Sequence, residues 1–159
     1  MSRSLQQPQT QRGMVLLVTL VFLLLLTVIG LSSMQSANLQ EKMAGSVSLR
    51  NQSFQTAEAT LRVGESAVQL ANYSLAVCAS TTQCAPPAES SVVSSAGLNS
   101  TSGVTWIAAG NGFYGVQNIG TTLTAVNVPS NTSATLYRVT AVGIAGTSRS
   151  VVESVYAKY

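Results

Sequence analysis

Charge is scarce in this chain of 159 residues: eight Lys and Arg against five Glu, no Asp and no His, a charged fraction of 8% and a net charge of +3. Soluble domains usually carry about 25% charged residues, and the absence of His removes the commonest general base and the commonest zinc ligand. The cations are scattered singly with no interleaved aromatics, so the sequence predicts no nucleic-acid partner.

The first thirteen residues, MSRSLQQPQTQRG, hold Pro8 and the cations Arg3 and Arg12. An apolar run follows at once, from Met14 to Leu31 (MVLLVTLVFLLLLTVIGL), without a charge. As a helix it would span roughly 27 Å, close to the hydrocarbon thickness of a bilayer. Backbone groups in lipid must pair internally, which makes a helix the expected form. Arg3 and Arg12 precede the run and the next cation is Lys42, so the amino end is expected in the cytoplasm and the rest outside. A Sec signal peptide is the competing reading. Its apolar region would be 7–15 residues, shorter than this run, although Gly30 and Ser32 fit a small-x-small cut.

Beyond the span the helical signal continues without proline until Pro86. Leu39, Met43 and Val47 recur at spacings of four. Phe54, Ala57, Leu61, Gly64, Val68, Ala71 and Leu75 then alternate at three and four. That stripe suits a helix lying on a sheet, with a dimeric coiled coil as the alternative. Glu58 and Arg62 are spaced for an i,i+4 pair. Gly30, Gly45 and Gly64 weaken the helix by up to ~1 kcal/mol each, and the polar stretch from Gly30 to Gly45 is a candidate bend.

From Cys78 the composition turns to Ser, Pro and Gly. Cys78 and Cys84, in CASTTQC, are placed either for one short disulfide in an oxidising compartment or as two unpaired thiols. Residues 78–103 read as an irregular connection with at most one short element. Strands are predicted at Val104–Ala108, Phe113–Gln117, Leu123–Val128, Leu136–Val142 and Val151–Tyr156, the last two forming a hairpin with a somewhat long loop around Gly143 to Gly146. The resulting class is α+β: a long amino-terminal helix, with a membrane half and an amphipathic half, packed on a small antiparallel sheet.

No catalytic, cofactor or metal site emerges. Gly110, Gly112 and Gly115 spell GxGxxG, but a strand overlaps them where a phosphate site needs a helix start, so they read as turn chemistry. The serines have no His to activate them. An enzyme is not expected.

A short basic leader ending in Gly13, an apolar run beginning at Met14 and one continuous helix leading to a carboxy-terminal sheet resemble the type IV prepilin pattern. The segments RGMVLLVTLVFLLLLTVIGLSSMQSANLQEKMAG and RNQSFQTAEATLR, and the closing LYRVTAVGIAGTSRSVVESVY, resemble the minor pilin PilX family. The resemblance implies a division into a cytoplasmic leader (1–13), a membrane half (14–34) and an amphipathic half (35–76) of the helix, and a periplasmic, loop-rich β domain (77–159). It implies cleavage by prepilin peptidase between Gly13 and Met14 and methylation of the new amino terminus at Met14. A single pass through the inner membrane and incorporation into a surface pilus follow, with the partners being membrane lipid, the assembly platform, other minor pilins and the major pilin. Met14 departs from the usual Phe, and Val18 stands where most pilins carry Glu. That departure suggests a tip or priming complex that starts assembly and supports adhesion or twitching motility. The alternatives are a K-type minor pseudopilin of a type II secretion system, which shares the missing Glu but usually has a large inserted α domain, and a bitopic, membrane-anchored periplasmic binding protein.

Overall fold

The computed structural model describes residues 11–159, with side chains from residue 13; the leader residues Arg3 and Pro8 lie outside them. One long helix, α1 (Gln11–Gln69), is followed by α2 (Thr81–Cys84), a 3-10 turn (Ala88–Ser91) and strands β1 (Gly97–Leu98), β2 (Thr105–Ala109), β3 (Gly112–Thr122), β4 (Ala134–Ala145) and β5 (Ser148–Lys158). The chain forms two compact units, one ending at Gly45 and one covering Ser46–Tyr159.

In the first unit α1 stays helical through Gly30 and Gly45, and its side chains are exposed. The second unit has three layers. Its sheet runs β1-β2-β3-β4-β5 with every pairing antiparallel. Helical residues 46–69 cover one face. Tyr114, Val116, Tyr137, Val139 and Ala141 pack there against Val68, with Leu61, Tyr73, Val152 and Tyr156 at the margin. Residues 78–104 cover the opposite face, where Val93 and Val104 close over Trp106 and Val142 with Phe113 and Ile144 alongside. Alternation along each strand delivers one set of side chains to each layer, so β4 is buried along most of its length.

The helix meets the sheet through small side chains. Ser53, Ala57, Thr60, Gly64 and Val68 are buried, whereas Phe54, placed in the apolar stripe by its spacing, is 47% exposed. Gly143 is the reason. A Cβ there would collide with Ser53 O and Ala57 N, so the strand backbone lies directly on the helix and no large residue fits between them. Gly112, paired with Gly143 across the sheet, leaves room for the Thr60 side chain, which a Cβ there would strike. Ser53 turns the tight contact to use: its hydroxyl meets Ser150 Oγ at 2.8 Å and Ser148 Oγ at 3.3 Å, and donates to Arg50 O.

Other differences from expectation have equally specific causes. α1 ends at Gln69 rather than at residue 76. Residues 75–78 are instead drawn to β3: Val77 bridges Asn118, Cys78 N donates to Asn118 O at 2.9 Å, and Asn118 Nδ2 donates to Leu75 O at 2.8 Å. Leu123–Val128 is not a strand. Asn127 adopts φ 60°, Thr122 Oγ1 accepts from Thr124 N, and Pro129 cannot donate to a ladder; Leu123 and Val126 point into solvent. The closing hairpin has a two-residue turn, Gly146-Thr147, with Gly146 at φ 56°, because β4 continues through Gly143 to Ala145. The connection 78–103 holds three short elements, not one. Glu58 and Arg62 make no ion pair among the described residues.

Candidate functional site

Gly13, Met14 and Val18 all lie on α1 with exposed side-chain positions, Met14 at 71% and Val18 at 49%. A Cβ on Gly13 would meet nothing within 4 Å. From Met14 to Leu31 the large apolar side chains all face outward. The polar residues of this stretch satisfy themselves: Thr19 donates to Val15 O and Leu16 O, at 3.0 and 2.9 Å, and Thr27 to Leu24 O at 2.8 Å. Such helix-internal bonds leave no side-chain donor seeking water, which a lipid environment requires. α1 is long and apolar enough to cross a membrane.

In the second unit Cys78 and Cys84 form a disulfide, with Cα atoms 5.3 Å apart. The loop it closes is held to the sheet by one buried and one partly buried polar side chain. Gln117 Nε2 donates to Gln83 O and, at 3.0 Å, to Ala85 O. Arg138 Nη1 donates to Cys84 O at 2.6 Å, while its Nε lies 2.9 Å from Glu153 Oε1 as a charge contact rather than an aligned hydrogen bond. Ser80 caps α2 by accepting from Gln83 N, and Gln83 Oε1 accepts from Ala79 N. Further along, Glu89 accepts from Ser102 Oγ and from Trp106 Nε1 at 3.2 Å, and Arg149 donates to Val93 O. Gln117, Asn118, Arg138 and Glu89 escaped sequence reasoning. The available signal was an unbroken pair of amides, Gln117-Asn118, inside an otherwise apolar strand.

These contacts also define the chemistry. Glu65 accepts from Ser154 at 2.6 Å, so Glu65, Glu89 and Glu153 all have internal partners. Gly110 sits in the β2–β3 turn at φ 58°, Gly112 opens β3, and Gly115 lies against Val104; no helix follows them. Tyr73 packs edge-on to Tyr137 at 5.5 Å, and burial, then the neighbouring Tyr137 and Tyr114, raise its phenol above the ordinary 10.0. Lys158 Nζ closes the carboxyl end of α1 by donating to Leu70 O and Tyr73 O, at 2.6 and 3.0 Å.

Residues 12–62 match the family model described as PilX N-terminal. Those residues are similar to a PilX N-terminal segment. The match covers about a third of the chain and supports a PilX-family type IV pilus minor pilin. With the exposed apolar helix it also supports membrane anchoring and incorporation into a pilus. PilX proteins are structural pilins and are not known as enzymes. No curated protein and no solved structure matches the chain.

Proposed function

We propose that this chain is a minor pilin that helps to form a tip or priming complex of a type IV pilus. In this reading prepilin peptidase removes residues 1–13, Met14 becomes the methylated amino terminus, and the α1 span holds the subunit in the inner membrane with the β domain in the periplasm. The observation that carries the positional part is Val18, a neutral residue within a matched PilX N-terminal segment. A carboxylate at such depth costs roughly 2.5–3.5 kcal/mol on insertion scales. Pilins that carry it pair it with the amino terminus of a neighbouring subunit. A subunit with Val18 has no buried charge seeking that neighbour and can stand first. Contacts with other minor pilins and with the major pilin then start fibre growth, on which adhesion or twitching depends.

A K-type pseudopilin would share the neutral position but usually has a large inserted α domain. Residues 78–103 offer a four-residue helix, a four-residue 3-10 turn and a two-residue strand, which favours the pilus. Val18→Glu tests the placement. The proposal predicts that the variant fails to restore piliation to a strain lacking the protein. Full piliation, with the variant spread along the shaft like a major subunit, would refute it.

A further inference from the structure

Long strands at the edge of a sheet offer unpaired backbone donors and acceptors, and proteins normally blunt them with outward charges, proline, bulges or a covering element. β5 is such an edge. It pairs with β4 over eleven consecutive residues without a register shift, and its sequence, SRSVVESVYAK, contains no proline. None of its residues is buried, in contrast to β4. Among the described residues its second edge makes no backbone hydrogen bond. The three charges on β5 are turned to partners inside the fold: Arg149 to Val93 O, Glu153 to Arg138, and Lys158 to Leu70 O and Tyr73 O. Proline and bulges are therefore absent, Arg149 and Lys158 are engaged internally, and Glu153 stays partly exposed beside its partner Arg138.

We infer that β5 receives an extended segment of a different polypeptide as a sixth strand. The outward face of β5 describes that segment. Val151 and Val155 are 42% and 54% exposed on either side of Glu153, whose side chain is 34% exposed. Residues directly opposite across a strand pair share a face. The complementary strand thus has a basic residue opposite Glu153 and apolar, β-branched residues two positions to either side. A second copy of β5 in full register is disfavoured: two-fold antiparallel pairing then sets Glu153 against its own copy, and like charges directly opposite are destabilising. This inference rests on the second unit and is independent of processing at Gly13 and of the pilus reading.

The test uses the full-length chain in detergent and a short capped peptide with lysine at its centre, valine two positions to either side and threonine elsewhere. Hydrogen exchange of the free protein is expected to show alternate amides of residues 150–157 exchanging fast. The peptide is expected to protect them. Replacing its central lysine by glutamate should weaken binding at least tenfold, and Glu153→Gln should abolish that preference. Val151→Lys with Val155→Lys, both at exposed positions, should remove binding while leaving the thermal melt unchanged. β5 amides already uniformly protected in the monomer, no protection by the peptide, binding indifferent to the lysine substitutions, or a dimer formed through β5 would each overturn the inference.

Discussion

Gly143→Ala adds one methyl group where the helix and sheet are closest. Its Cβ would lie against Ser53 O and Ala57 N, and 2.8 Å from Ala57 Cα. These are backbone atoms of a helix, so no side-chain rotation relieves the collision. Ordinary carbon contacts are about 3.5–4.0 Å, so α1 or β4 has to shift by about an ångström. The shift loosens Ala57, Gly64 and Val68, which are buried on the same helix face. Overpacking of this kind costs about 1–3 kcal/mol, and immovable neighbours place this case at the upper end. For a unit of this size the melting temperature should fall by about 10 °C or more. The near-UV circular dichroism of the single tryptophan, Trp106, which is 3% exposed, reports the loss in the detergent-solubilised full chain. Gly45→Ala is the internal comparison: a Cβ there meets nothing within 4 Å, and the change should be neutral or stabilising by up to ~1 kcal/mol. A Gly143→Ala protein melting within a degree or two of the parent would refute the close-packed helix–sheet contact.

Reduction of the disulfide, or Cys78→Ser with Cys84→Ser, frees a short loop and should cost about 2 kcal/mol by loop-closure entropy, read from urea unfolding. Arg138→Met removes the bond to Cys84 O and leaves Glu153 without its counter-charge; a loss of about 1–3 kcal/mol is expected, with faster exchange of the amides in residues 78–85. Tyr73 sets an alkaline limit. Its phenol titrates higher in the folded chain than unfolded, so its contribution is complete below about pH 10 and is lost as pH rises through the raised folded value. Tyr73→Phe should flatten that part of the stability profile, and an unchanged alkaline slope would show that Tyr73 does not govern it.

The parts of this fold governed by short-range pattern were open to reading from residues alone. The charge-free run from Met14, the helical repeat behind it, four of the five expected strands and the antiparallel arrangement follow from periodicity and turn residues. What escaped depends on contacts distant in sequence. The inward position of Ser53 in place of Phe54 is set by Gly143, and the early end of α1 by Asn118. Leu123 to Val128 has strand-like composition but no partner face to bury it, and Asn127 and Pro129 settle it as a turn. The polar clasp on the disulfide loop was only half visible: the adjacent amides Gln117-Asn118 mark a polar site without naming its partners, and nothing local distinguishes Arg138 from a solvent-facing strand residue. For the proposed processing site the position is reversed: Gly13, Met14 and Val18 stand out in the sequence, and on the exposed helix no surrounding contact distinguishes them further.

Intact mass with amino-terminal sequencing of the membrane-extracted protein, with and without prepilin peptidase, decides whether this chain is a processed pilin subunit. A processed subunit starts at N-methylated Met14, and keeps an uncut leader when the peptidase is missing. A start at Met1 or Ser2 in the presence of the enzyme would make the chain an ordinary anchored protein, and a start near Ser33 a secreted Sec product; either would contradict the account and remove the argument built on Val18.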